Sequence, residues 1–175
     1  MTDNLVGRSL AQAPLPSRWR HRFEDAALVA APLVVGGISG LLTSGQIATW
    51  YRTLERPDWN PPDWVFGPVW TTLYLVMGVA LRSVVRSPSP SGARALAVGL
   101  FALQLALNFG WSWIFFVEHQ LGLALIEIVG LWLAIAATAV AFARIGNIAG
   151  ALLLPYLAWV TFATALTAAI WQLNR

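Results

Sequence analysis

The chemistry available to this chain rests on indoles, side-chain amides and a single deep carboxylate. Trp70 lies about two helical turns inside an apolar segment, and Tyr74 and Met77 fall on its face at four- and seven-residue spacing. Trp159, in the run Pro155-Tyr156-Leu157-Ala158-Trp159-Val160-Thr161-Phe162-Ala163, is far from both ends of its segment. The interfacial belt that usually accounts for membrane tryptophans therefore does not account for it. Pro155, Trp159, Phe162 or Ala163, and Leu166 share its face. Indoles at such depth pack between helices as part of an aromatic core stripe or serve a site inside the bundle. In a third segment Phe101, Gln104, Asn108, Trp111 and Phe115 recur every three or four residues. Amides at membrane depth, Gln104 and Asn108 here, should face the bundle or a cavity rather than lipid, as interhelical glue or as ligand contacts. Glu127 is the charged residue well inside an apolar segment. It is either a functional carboxylate or a neutral, snorkelling one.

Other chemistries find no support. His21 and His119 are isolated, so no metal site is expected. The chain has no cysteine, which excludes disulfides and thiolate chemistry. Gly36-Gly37-Ile38-Ser39-Gly40 lacks a lysine and lies in an apolar segment, so it is no phosphate loop. Ion conduction or active transport would call for more ionisable residues inside the spans.

These side chains must be positioned by membrane helices. Hydrophobic residues make up 58% of the 175 and charged residues 11%, against about 25% charged in a soluble domain. The mean hydropathy is +0.65. With so few charges the surface cannot be solvated by water alone, and the lipid bilayer is the expected solvent. Five apolar stretches reach the ~30 Å hydrocarbon thickness: about 26–46, 64–84, 93–116, 121–143 and 148–172. An all-α bundle of five transmembrane helices over 26–175 follows, preceded by a basic, disordered extension over 1–25. The first apolar stretch reads as a retained span and not as a cleaved leader, because the polar segment before it is too long. Residues 47–63, rich in Pro and aromatics (Trp50, Tyr51, Pro57, Trp59, Pro61, Pro62), read as an ordered cap. Glu118 to Gln120 and Arg144 to Asn147 read as tight turns.

Every basic residue is Arg. Arg8, Arg18, Arg20, Arg22, Arg82, Arg86, Arg94 and Arg144 fall on one side of a five-span topology, and Arg52, Arg56 and Arg175 on the other. The excess places the N-terminus in the cytoplasm. The arginines flank apolar segments instead of forming an aromatic-interleaved stripe, so no nucleic acid is expected as partner. Ala102, Ala106 and Gly110 form a small-residue face at four-residue spacing, suited to close helix approach within the chain or in a homodimer.

Three sequence words, in order, resemble the tryptophan-rich sensory protein/translocator protein family (TspO/MBR), also called the peripheral-type benzodiazepine receptor family. They are Pro57-x-Trp59-x-Pro61-Pro62 with Phe66-Gly67-Pro68-Val69-Trp70-Thr71-x-Leu73-Tyr74-x-x-Met77-Gly78, then Gln104-Leu105-Ala106-Leu107-Asn108-x-x-Trp111 with Phe115-Phe116, then Pro155-Tyr156-Leu157-Ala158-Trp159 with Phe162-Ala163-Thr164. The resemblance covers about residues 30–174. It implies a pocket capped by the first loop and a membrane receptor that binds porphyrins or other tetrapyrroles. Protoporphyrin IX or haem is then the ligand, with no cofactor required. It also implies two alternatives: light- and oxygen-dependent degradation of protoporphyrin IX, with Trp70 and Trp159 as the catalytic tryptophans, and transport of apolar ligands. Pocket positions carried over are Phe66, Trp111, Ala163 and Leu166. Trp59, Trp70, Tyr74, Gln104, Asn108 and Trp159 complete the expected ligand-binding set. The Tyr and basic residue of the animal cholesterol motif are replaced by Ala168 and Gln172, a common pocket Trp by Leu123, a common Asn by Thr167 and a common Asp by Glu127.

Overall fold

The computed structural model describes residues 17–175. Helix α1 (Ser17–Ala48) is followed by a short 3-10 turn (Trp50–Thr53) and the cap loop. Then come α2 (Asp63–Val85), α3 (Ser91–Phe116), α4 (Leu121–Ile145), α5 (Asn147–Ala151) and α6 (Leu154–Leu173). Five spans are long and apolar enough to cross a membrane, α5 and α6 together making the fifth. The expected all-α bundle is the observed one.

Two boundaries differ from the sequence reading. Helix α1 is already formed at Ser17, the first described residue, and does not start near 26, so residues 17–25 are helical; the disorder expected of residues 1–16 lies outside the described residues. The added turns are held from α2. Arg82 donates to Asp25 at 2.7 Å, and Arg86 donates to Asp25 at 2.7 Å and to Glu24 at 2.8 Å. The fifth span is not one helix but breaks at Leu152 and Leu153. Pro155 has no N–H to offer the carbonyl of Ala151, and its ring crowds that carbonyl, so the regular ladder restarts at Leu154.

The cap and the α3–α4 turn form as expected, whereas the turn expected at Arg144 to Asn147 narrows to Gly146, with Arg144 inside α4 and Asn147 opening α5. Tyr51 is buried and donates its hydroxyl to the Asn60 side chain at 2.7 Å. At the α3–α4 turn His119 adopts a left-handed backbone, φ 56°, which a side chain bearing Cβ resists. Its ring is retained by stacking on Trp50 with centroids 4.0 Å apart. The cap is also fastened to the end of α6. The Glu55 N–H donates to Asn174 Oδ1 at 3.0 Å, and Asn174 Nδ2 donates to the Glu55 carbonyl at 2.8 Å.

Inside a bilayer, helices gain little from leaving lipid for one another, so close packing and interhelical hydrogen bonds hold the bundle. Glycines allow the closest approaches. A Cβ on Gly78 would overlap the backbone of Val29, and one on Gly150 would overlap Ala143 and the Ala139 carbonyl. The core runs from Leu73, Met77 and Val84 through Phe101, Ile128, Ile135 and Phe142 to Tyr156 and Val160. A second cluster around Tyr51, Phe115, Ala124, Leu166 and Ile170 lies under the cap.

Candidate functional site

Between α1, α2, α3 and α6, beneath the cap, lies a cavity of about 330 Å³. Such a volume is at the lower end of the roughly 300–1,000 Å³ of small-molecule sites. Helix α2 supplies Phe66, Trp70 and Tyr74; α3 supplies Trp111, Phe115 and Phe116; α6 supplies Trp159, Phe162, Ala163 and Leu166; Tyr51 comes from the cap. Helix α1 contributes small residues, among them Gly36, Gly37, Ser39, Gly40 and Thr43. Among the described residues no charged side chain lines the cavity, and α4 contributes none of the lining.

The aromatic walls are ordered by one another. Trp70 stacks on Tyr74 with centroids 5.4 Å apart and 27° between planes, and meets Tyr156 edge-on at 6.1 Å. Trp159 meets Phe66 edge-on at 6.1 Å and lies tilted on Phe162 at 5.3 Å. Trp111 stacks on Phe115 at 5.1 Å. These separations fall within the 4.5–7 Å range in which offset and edge-on pairs attract. The indoles of Trp70 and Trp159 thus face one cavity from two helices, each held by its own partners.

A polar brace stands behind this wall. The Tyr74 hydroxyl donates to Asn108 Oδ1 at 2.5 Å, and Asn108 Nδ2 donates to the Tyr156 hydroxyl at 3.1 Å. All three are buried, at 7%, 1% and 1% exposure. One amide on α3 therefore ties α2 to α6 and fixes the two tyrosines that flank Trp70. On α1, Gly36 makes room for this arrangement, since a Cβ there would overlap the Tyr74 ring.

Of the residues singled out from sequence, Phe66, Trp70, Tyr74, Trp111, Trp159, Ala163 and Leu166 meet at the cavity. Trp59, Gln104 and Asn108 do not line it. Trp59 is half-exposed and touches the site through Phe162, at 5.8 Å edge-on. Asn108 stands one layer back, in the brace. Gln104 is buried a turn further along α3 with neither amide atom hydrogen-bonded. Thr167 lines the cavity, whereas Leu123 is 47% exposed and faces away. Glu127 has both carboxylate oxygens buried without a hydrogen-bond partner. It points at α3, where a Cβ on Gly110 would lie 3.8 Å from Oε1.

Sequence reasoning passed over the α1 lining and Tyr51. The signal was present in the four-residue spacing of Gly36 with Gly40 and of Ser39 with Thr43, which puts small residues on one side of the helix. Small residues advertise close packing as readily as a cavity floor, so spacing alone did not separate the two.

Comparison with known proteins agrees with this architecture. The model of the TspO/MBR family matches residues 28–172. The chain is 44% identical over 149 residues to the "Tryptophan-rich protein TspO" of Chlorobaculum tepidum, covering 85% of this chain and 94% of that one. It is 39% identical over 146 residues to the human "Translocator protein", covering 83% and 86%. It is 37% identical over 125 residues to "Protein CrtK" of Rhodobacter capsulatus, covering 71% and 78%. With five apolar spans and this match over most of its length, the chain is a multi-pass integral membrane protein belonging to the TspO/MBR family.

Proposed function

We propose that the chain is a membrane receptor for porphyrin or a related tetrapyrrole, held in the cavity between α1, α2, α3 and α6. One observation carries this reading: aromatic rings from α2, α3, α6 and the cap surround a single uncharged cavity. A flat, apolar, π-rich ligand is the class that such walls reward, by stacking worth about 0.5–1.5 kcal/mol per aromatic pair beyond area burial. The uncharged lining suits the macrocycle of such a ligand. The test is titration of the purified protein in lipid nanodiscs with protoporphyrin IX in the dark, read by quenching of tryptophan fluorescence. Saturable quenching that is weakened by Ala163→Trp, which fills the cavity from α6, supports the reading. Quenching that is non-saturable, or that Ala163→Trp leaves unchanged, refutes it.

A second reading has its own support in the convergence of Trp70 and Trp159 on one cavity. Here the bound porphyrin, excited by light, is oxidised by dioxygen with the indoles taking part in electron transfer. Trp70→Phe and Trp159→Phe keep most of the apolar area but remove the oxidisable ring. Dark binding should weaken by no more than about tenfold, or ~1.4 kcal/mol, whereas light-driven loss of protoporphyrin IX, followed by absorption and mass spectrometry, should fall much further. If both variants degrade porphyrin like the parent, the tryptophans are walls only.

A further inference from the structure

The lining of the cavity is apolar but not without polar atoms, and most of its hydroxyls are already spent. The Tyr51 hydroxyl donates to Asn60 and that of Tyr74 to Asn108. Thr43, Thr71 and Ser112 each donate to the carbonyl four residues earlier in their own helix, at 2.9, 2.9 and 3.3 Å. Two hydroxyls are left over. Ser39 on α1 and Thr167 on α6 also line the cavity, and among the described residues neither side chain has a hydrogen-bond partner.

Both residues are deeply buried, at 6% and 2% exposure, where an unpaired hydroxyl is costly. A serine or threonine inside a helix usually avoids that cost by turning its hydroxyl onto a carbonyl of the preceding turn. Thr138, Thr161 and Thr164 do so at 2.7, 2.8 and 2.8 Å. The corresponding carbonyls for Ser39 and Thr167 are those of Val35 and Ala163, and neither side chain uses its own. Nor are the two oxygens sealed by packing. The Gln104 amide and the Glu127 carboxyl are shut away from open space, whereas Ser39 Oγ and Thr167 Oγ1 keep access to the cavity.

The two hydroxyls reach the cavity from different walls. Helix α1 packs on α2 and α3, whereas α6 packs mainly on α4. At 1.5 Å per residue, Ser39 lies about 14 Å from the end of α1 at Ala48, and Thr167 about 9 Å from the end of α6 at Leu173. Both therefore stand in the part of the bundle nearer the cap. The indole N–H groups of Trp70 and Trp159 also have no described partner, and an indole only donates. The unspent polar groups of the lining are thus rich in donors. With no charged side chain among the described lining residues, a carboxylate brought among them would lose its hydration without meeting a counter-charge. An uncharged carbonyl would satisfy the donors without that penalty.

We propose that Ser39 and Thr167 are specificity-determining residues, whose hydroxyls donate to an uncharged carbonyl on a side arm of the bound ligand. A macrocycle that carries such a group is thereby chosen over one with alkyl side arms alone, because the all-alkyl ligand leaves both hydroxyls unpaired. The inference rests on the ligand-binding reading above and adds the ligand's polar group and the residues that read it.

Two porphyrins of similar shape make the test: protoporphyrin IX dimethyl ester, which carries ester carbonyls, and etioporphyrin, whose side arms are all alkyl. Each is titrated in the dark into the purified protein in phosphatidylcholine nanodiscs and followed by tryptophan quenching. Thr167→Val and Ser39→Ala should each weaken the dimethyl ester about threefold to tenfold, the worth of one neutral hydrogen bond, and leave etioporphyrin unchanged. Thr164→Val, whose hydroxyl is spent on the Val160 carbonyl outside the lining, should change neither. The infrared band of the bound ester carbonyl should lie at lower wavenumber in the parent than in the double variant. Variants that weaken both porphyrins alike, that weaken neither, or that leave the ester band in place overturn the assignment and leave the binding reading standing. So does a parent that binds protoporphyrin IX but not its dimethyl ester. A parent that binds none of the three porphyrins overturns the two readings together.

Discussion

Replacing Asn108 by leucine would show how much the wall of the cavity depends on the brace behind it. Asn108→Leu keeps a similar volume but removes both hydrogen bonds, leaving the buried hydroxyls of Tyr74 and Tyr156 without the partner they share. Interhelical hydrogen bonds in membranes average about 0.6 kcal/mol and reach about 1.7. A buried hydroxyl left unpaired costs about 1–3 kcal/mol in water-soluble proteins. With two hydroxyls stranded at 7% and 1% exposure, a total of about 1–3 kcal/mol is expected once the looser membrane reference state is allowed for. At about 2–4 °C per kcal/mol for a chain of this size, thermal unfolding in detergent should fall by about 2–12 °C. The decisive measurement is a cycle with Tyr74→Phe, which removes one hydroxyl while leaving the ring that stacks on Trp70. If the brace is one unit, Asn108→Leu costs less in the Tyr74→Phe background, with a coupling of at least about 0.5 kcal/mol. Costs that simply add, or an Asn108→Leu protein as stable as the parent, would show that these bonds do not hold α2 to α6. A further consequence is local. With its two flanking tyrosines freed, Trp70 should lose fluorescence anisotropy relative to the parent when the other tryptophans are replaced by phenylalanine.

Gly78→Ala and Gly37→Ala should move stability in opposite directions. The first puts a methyl onto the Val29 backbone, which cannot swing aside, and should cost about 1–3 kcal/mol. The second meets open space and should gain up to about 1 kcal/mol from helix propensity; equal unfolding temperatures for both variants would contradict the packing described. We propose that the chain self-associates through the face of α3 carrying Ala102 and Ala106, both of which are exposed. Ala106→Leu should then weaken cross-linking in native membranes, and undiminished cross-linking rules this face out as the interface. Burial pushes the Tyr51 phenol up to about 12, against the opposing pull of the Arg56 cation. Because the folded value lies above the usual ~10, this group's contribution to stability is complete below about pH 10 and is lost as pH rises toward 12. Tyr51→Phe should accordingly flatten the alkaline end of a thermal-stability profile, and a profile unchanged between pH 9 and 12 would show that the phenol plays no part in it.

The spans were legible in the sequence because lipid imposes a blunt requirement, a run of apolar residues of fixed length. Five such runs correspond to the five observed spans, and the departures are the start of α1 and the break inside the fifth span. The start of α1 was missed because residues 17–25 are polar, and hydropathy cannot distinguish a polar helix pinned by Arg82 and Arg86 from an unstructured tail. The break in the fifth span was missed although Pro155 was in view, since a proline marks a start, a kink or a break according to what packs around it. The aromatic walls were legible because Trp70, Trp111 and Trp159 lie deep in spans. Asn108 and Gln104 show where periodicity runs out. They share a face one turn apart, yet one forms the brace and the other is buried without a partner. That difference is set by Tyr74 and Tyr156 arriving from other helices. The cavity floor was illegible for the opposite reason, because glycines on α1 leave no side-chain signature of the space they create.

Helix α4 stands apart from all of this. It is packed between α3 and α6 through Ile128, Leu131, Ile135 and Phe142, and contributes nothing to the cavity surface. Mutation can therefore act on it without consulting the ligand. In a saturation scan of the chain, α4 substitutions should sort by how much folded protein accumulates in the membrane, while the survivors keep the parent's order of preference among flat apolar ligands. Substitutions at the lining positions of α1, α2, α3 and α6 should instead reorder that preference. Such a division lets drift repair stability on one helix while selection tunes recognition on the others.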